Sequence, residues 1–195
     1  MKHKRLIHAL LTAALVVSLV PLPSRAAGTS SFQDVHDPVL AANADILRLM
    51  GVVSGTGDNS FRPEERLTRA QFCTMVVNFM GLEDQVVLHA TRTIFTDVPA
   101  SHWARGYINL AASTMMDSGS GGAGGSSSGE ASSTGTPLIA GVGDGRFLPD
   151  AELSYAQAVT ILVRILGYSS DKVGAVWPEG YLNLAQSIGL LDGVT

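Results

Sequence analysis

One stretch of this chain recurs at a fixed distance, which limits the chain to folds built from similar units packed on one another. Phe61-Arg62-Pro63-Glu64-Glu65-Arg66-Leu67-Thr68-Arg69-Ala70-Gln71 lines up with Phe147-Leu148-Pro149-Asp150-Ala151-Glu152-Leu153-Ser154-Tyr155-Ala156-Gln157 at a constant offset of 86, and the same offset carries Gly81 onto Gly167. Upstream, Phe32-Gln33-Asp34-Val35 matches Phe95-Thr96-Asp97-Val98 at an offset of 63. The second copy therefore holds an insertion of 23 residues, and composition places it. Residues 118–136 are nearly all Gly, Ser, Ala and Thr, a linker expected to stay disordered because it cannot bury enough surface to offset its ordering entropy. A Gly-rich phosphate cradle is the competing reading, but no Gly-Lys-Ser or Gly-Lys-Thr follows, and no strand-then-helix pattern flanks it. A third, partial copy closes the chain: Trp103-Ala104-Arg105-Gly106-Tyr107-Ile108-Asn109-Leu110-Ala111 resembles Trp177-Pro178-Glu179-Gly180-Tyr181-Leu182-Asn183-Leu184-Ala185. The units predicted are residues 32–82, 95–168 and 174–195.

Each copy reads as helix, loop, helix. In the first, Asp37 or the turn before it starts a helix running to about Met50, with Leu40, Ala44, Ile46 and Leu47 expected on one apolar face and Gly51 at its end. A turn-rich loop, Thr56-Gly57-Asp58-Asn59-Ser60, leads to Phe61 and Pro63, which are expected to pin the loop to the core. Thr68 is placed to cap the second helix, with Gln71 completing a capping box, and Ser154 with Gln157 repeats the device. The second helices are expected to bury Phe72, Cys73, Val76, Val77 and Met80 in one copy and Val159, Leu162, Val163 and Leu166 in the other, both ending at glycine. Asp34 and Asp97 are expected to cap turns. A two-helix unit cannot cover its own apolar face, so the copies must pack together in an all-α bundle.

The first two dozen residues belong to none of this. Lys2, Lys4 and Arg5 precede an apolar run over residues 6–20, then Pro21 and Pro23 break it before Ser24-Arg25-Ala26. This reads as a secretory signal peptide, residues 1–26, cut after Ala26; the run is too short and too quickly broken for a membrane anchor. Its removal takes the formal charge from -4 to -8, so nucleic acid is not an expected partner, and no membrane association is expected after cleavage. Cys73 is the single cysteine, so no intrachain disulfide is available outside the cell, and its apolar helical setting suits a small buried hydrophobe rather than a nucleophile.

No cofactor, metal or catalytic centre is expected. The chain has no His-Glu-x-x-His and no Gly-x-Ser-x-Gly, and His36, His89 and His102 share no metal-ligand spacing. Asp144-Gly145 with Asp150 and Glu152 hints at a calcium loop, but Arg146 and Leu148 occupy places where oxygen ligands would be needed.

Taken in order, Phe-x-Asp-Val, Trp-Ala, Gly-Asp-Gly-x-Phe-x-Pro and Leu-Thr-Arg-Ala-Gln resemble S-layer-homology repeats, over nearly all of residues 32–195 outside the insertion. The resemblance implies a pseudo-threefold helical bundle whose inter-repeat grooves hold a pyruvylated secondary cell wall polysaccharide, on a secreted protein of the bacterial cell wall or S-layer. It implies that Arg69 meets the acidic sugar, supported by Thr68 and Gln71; from the residues alone the surface-charge reading, a cation beside a cap, is the stronger one for Arg69. A guanidinium suits a ketal carboxylate, and the helix start is expected to add free N–H groups and its dipole. Gln71 replaces the family's usual Glu. Tyr155 stands where the second arginine belongs and could only stack on a sugar, the third copy lacks the motif, and Leu40 stands near the place of Trp103. One intact anion site is therefore expected. Trp103 and Trp177 read equally as sugar platforms or as core. The rival readings are a degenerate module that binds another protein, and the N-terminal anchoring part of a longer surface protein or wall enzyme. Self-association through the incomplete third repeat is a further expectation.

Overall fold

The computed structural model describes residues 30–116, 136–168, 173–174 and 176–193. Residues 1–26, read above as a signal peptide, and nearly all of the Gly/Ser insertion lie outside the described residues. Among the described residues six α-helices carry the fold: α1 Pro38–Leu49, α2 Arg69–Phe79, α3 Val86–His89, α4 Arg105–Ser113, α5 Tyr155–Ile165 and α6 Glu179–Ser187, with a 3-10 turn at Glu83–Gln85. Among the described residues the named strands are a pair of two-residue antiparallel ones, β1 Met115–Met116 and β2 Thr136–Pro137, which close the neck of the insertion. Thr136, the last residue assigned to the linker, belongs to that ladder. Among the described residues no helix is long and apolar enough to cross a membrane.

The helix ends follow from local chemistry. Asp37 caps α1 by accepting from the backbone N–H groups of Val39 and Leu40. Thr68 and Gln71 form a reciprocal capping box on α2, and Ser154 and Gln157 form the same box on α5. Both second helices stop in the same way. Gly81 and Gly167 take φ of 66° and 89°, and the next residue donates back to the helix, Leu82 N–H to Val77 O and Tyr168 N–H to Val163 O. That left-handed turn satisfies carbonyls the helix leaves unpaired, and a Cβ would strain it.

Within each copy the two aromatic residues of the motifs pack together. Phe32 meets Phe61 and Phe95 meets Phe147, both with ring centroids 5.3 Å apart and nearly the same tilt. Between copies, the second helix of one pairs with the first helix of the next: α2 packs on α4, and α5 on α6. The main core cluster shows the consequence, joining Phe72, Cys73, Val76 and Val77 of α2 to Ile108, Leu110 and Ala111 of α4 and to Phe147. A smaller cluster joins Val159 and Val163 of α5 to Tyr181 and Ala185 of α6. The irregular segment before α4 is held by side chains donating to its carbonyls. Buried Arg105 reaches Ala90 O, Val98 O and Thr93 Oγ1, and Asn109 reaches His89 O and Arg92 O.

Two positions differ from the apolar faces expected of the helices. Ile46 is exposed, because α1 packs through Ala41 and Ala44 onto Phe32, Val35 and Phe61 rather than through a broad aliphatic stripe. Leu162 is also exposed while Ile161 is buried. The cause is that α5 sits between two clusters, with Ile161 turned into the main core and Val159 and Val163 toward α6, which leaves Leu162 on the outer side.

The coupling of the two motifs within a copy is explained by an aspartate. Asp97 accepts from the backbone N–H groups of Phe147 (2.8 Å) and Leu148 (2.7 Å), and Asp34 does the same for Phe61 (2.8 Å) and Arg62 (2.6 Å). Arg62 and Leu148 sit at φ of 59° and 58°, a left-handed conformation that costs a non-glycine residue about 1 kcal/mol or more. The carboxylate offsets that cost by taking both exposed N–H groups at once.

Candidate functional site

The start of α2 is plugged by the second copy. Residues 67–70 run antiparallel to residues 149–153: Leu153 N–H donates to Leu67 O, Arg69 N–H to Ala151 O and Ala70 N–H to Pro149 O. Gln71 N–H is taken by Thr68 Oγ1. The free N–H groups expected to greet an anion at this helix start are thus occupied, since a neighbouring loop supplies carbonyls where water or ligand would otherwise bind.

Arg69 is drawn into the same contact. Its Nε donates to Phe147 O at 2.8 Å, its Nη2 to Ala140 O at 3.1 Å, and its guanidinium lies 4.7 Å from the centre of the Phe147 ring. Only 6% of the residue is exposed. Burial pulls its pKa below the ordinary guanidinium value while Cys73 and Asp97 oppose this, and it remains a cation. Beneath it, burial pushes the Cys73 thiol up to about 12 against a lesser opposing effect of Arg69, so the thiol stays protonated and inert.

Arg69 forms one wall of a cavity of about 370 Å³. Residues 139–142 form a second wall, Gln157, Thr160, Ile161 and Arg164 of α5 a third, and Trp177 the rim. Gln157, Thr160, Ile161 and Arg164 recur at helical spacing, so one face of α5 turns a polar stripe inward. Buried Thr160 donates to Ala156 O and accepts the indole N–H of Trp177 at 3.0 Å, which fixes the ring at the rim with about half its surface exposed. Arg164 lies beside Tyr181, its Nε donating to the phenol oxygen at 3.4 Å. Two cations, an amide, a hydroxyl and an indole line the cavity, and no carboxylate among the described residues does. Such a lining can hold a polar anion with one flat or apolar face.

Residues 50–73, which include the start of α2 and Arg69, match the model of the S-layer homology domain. The chain is an S-layer homology domain protein. It is 36% identical over 194 residues to a cell surface protein of Thermoanaerobacter kivui, covering 98% of this chain and 22% of that protein. It is 27% identical over 191 residues to a surface layer protein of Brevibacillus choshinensis, covering 98% of this chain and 15% of that one. S-layer protein EA1 of Bacillus anthracis is 28% identical over 110 residues, 56% of this chain. The chain thus spans less than a quarter of the length of these relatives. No solved structure matches it.

Of the five residues marked in the sequence of this S-layer homology protein, the cavity takes in Arg69. Thr68 and Gln71 are at its helix start but engaged in the capping box. Trp103 is 60% exposed and stacks on His102 ahead of α4, outside the cavity lining, and Tyr155 is exposed at the start of α5. Gln157 is the counterpart of Gln71 at the 86-residue offset, and Trp177 that of Trp103 in the third copy. The residue types were therefore legible, but the copy supplying them was not. Arg164, whose counterpart is Asn78, was missed; the polar stripe at 157, 160 and 164 along an apolar helix was the available signal. Replacing Thr68 by Ala should remove the cap and cost about 1 kcal/mol, with Ser154→Ala costing a similar amount, read as shifts in urea midpoint.

Proposed function

We propose that this chain is the wall-attachment part of a secreted bacterial surface protein and that it holds an acidic secondary cell wall polysaccharide. The observation that carries the reading is the cavity that sets Arg69, Arg164 and Trp177 around one space, with no carboxylate in its lining among the described residues. A guanidinium receives a ketal carboxylate through paired N–H donors and stays charged at any relevant pH, while the indole offers a flat surface to a sugar ring. The relatives are named for cell surfaces and surface layers, which fits the same role, and the basic and apolar start of the chain supplies the route of export. Attachment needs binding and no chemistry on the sugar. Gln71, Thr68, Trp103 and Tyr155 enter the reading as flanking contacts for a polymer longer than the cavity itself.

The test is sedimentation of the purified chain with wall sacculi. The chain should pellet with native sacculi and stay in solution once the secondary polysaccharide has been extracted from them. Equal pelleting with native and extracted sacculi would sink the reading.

A further inference from the structure

We propose that Arg164, and not Arg69, is the residue that meets the ligand's carboxylate, with Arg69 acting as a positioning residue that builds the cavity wall. The inference rests on the cavity being the saccharide site. It follows from what each guanidinium has left to offer. Arg69 is 6% exposed, one face of its plane is covered by Phe147, and two of its N–H groups are spent on the carbonyls of Phe147 and Ala140. Those bonds tie α2 to residues 140–147 across the copies, so the side chain serves the fold at the expense of its ligand-facing edge.

Arg164 is differently placed. It is half-buried, and among the described residues it makes one long bond, from Nε to the Tyr181 hydroxyl at 3.4 Å, which orients the guanidinium beside the ring. Among the described residues neither terminal nitrogen has a protein acceptor, and no carboxylate pairs with it. Among the described residues both Nη groups are unspent and no acid lines the cavity, and a planar fork so placed is the arrangement that receives a carboxylate bidentately. Trp177 adds a constraint on the ligand. Its indole N–H is used by Thr160, so the ring contributes a stacking face and no donor, and the negative charge must be met from the α5 side. The ligand class is thus a saccharide whose carboxylate projects from one edge of a ring that stacks through its apolar face.

The test compares the full chain with Arg164→Gln, Arg164→Lys and Arg69→Lys, each measured for binding to native sacculi, for binding to sacculi whose pyruvate ketals have been removed by mild acid, and for thermal midpoint. The unmodified chain should prefer native sacculi. Arg164→Gln should weaken native binding by about tenfold or more and abolish that preference while lowering the midpoint far less than Arg69→Lys does, because beyond the charge pair with the ligand it gives up one long bond to Tyr181. Arg164→Lys should recover part of the affinity, as a point charge without the fork. Arg69→Lys should lower the midpoint yet keep the preference when assayed well below it. If Arg164→Gln binds native sacculi like the unmodified chain, the assignment is overturned while the attachment reading stands. Loss of preference in Arg69→Lys at an unchanged midpoint also overturns it, and an unmodified chain with no preference at all sinks the reading on which it rests.

Discussion

Phe147→Ala is expected to destabilise the chain by about 3–5 kcal/mol, a large share of the 5–15 kcal/mol that holds a domain of this size together. Phe147 has no exposed surface, packs against Phe95 and lies under the Arg69 guanidinium. Truncation removes the apolar contacts, opens a cavity between α2 and the loop, and uncovers the face of a buried cation, so the transfer, cavity and cation–π contributions all have the same sign. Phe61 occupies the corresponding place in the first copy but is half-buried, in a small cluster with Phe32, Val35, Ala41 and Ala44. Phe61→Ala should therefore cost roughly half as much, in proportion to the smaller area it buries. Urea titrations of the two variants decide the matter. Equal losses would mean that the 86-residue repeat in sequence is also a repeat in energy, contrary to the unequal burial seen. Phe147→Leu, which nearly fills the space, should lose less than about 2 kcal/mol.

That inequality between like positions shows where sequence reasoning reached its limit. The capping boxes and the glycine stops were legible because each is a local device, set by residues whose spacing along the chain decides whether they can meet; Asp34 and Asp97, expected to cap turns, instead hold N–H groups 27 and 28 and 50 and 51 residues further along. Thr68 with Gln71 and Ser154 with Gln157 behave as their spacing predicts. Helical periodicity identifies an apolar face but not the element that covers it. Pairing of α2 with α4 and of α5 with α6 spans the boundary between copies, and it is this offset that exposes Leu162 and buries Ile161. The site was hidden for the same reason. Its lining comes from the start of α2, from residues 139–142 and α5, and from Trp177, so no single motif contains it. Counting intact motifs pointed to Arg69, which does line the cavity, but its hydrogen bonds to Phe147 and Ala140 belong to tertiary structure that spacing does not encode.

Acid is the second strong perturbation expected, and it should act through the aspartates behind these loops. For Asp97, burial works to raise the pKa, but the N–H groups of Phe147 and Leu148 outweigh it, with Arg146 adding to them, and the carboxyl is held below its ordinary 3.8. For Asp34 the Phe61 N–H is the leading cause of a lowering in the same direction, opposed by burial and joined by the Arg62 N–H. Each group is more acidic folded than unfolded. Its contribution is therefore complete above the unfolded value of 3.8 and is lost as pH falls through the lower folded value. Stability should be level from about pH 7 to pH 5 and should decline below about pH 4. Asp97→Asn places an amide where two N–H groups need acceptors. It should cost about 1–3 kcal/mol at pH 7 and flatten the decline in acid, because the proton-linked interaction is already gone. The loss should also reach the cavity, because Asp97 sets the conformation of Phe147, whose carbonyl holds Arg69. Asp34→Asn should flatten the same decline while leaving that wall in place, since its partners Phe61 and Arg62 are outside the cavity lining. Urea midpoints of the three proteins at pH 7 and pH 3 check this. A midpoint for Asp97→Asn that falls between the two pH values as steeply as in the unmodified chain would show that the acid response arises elsewhere.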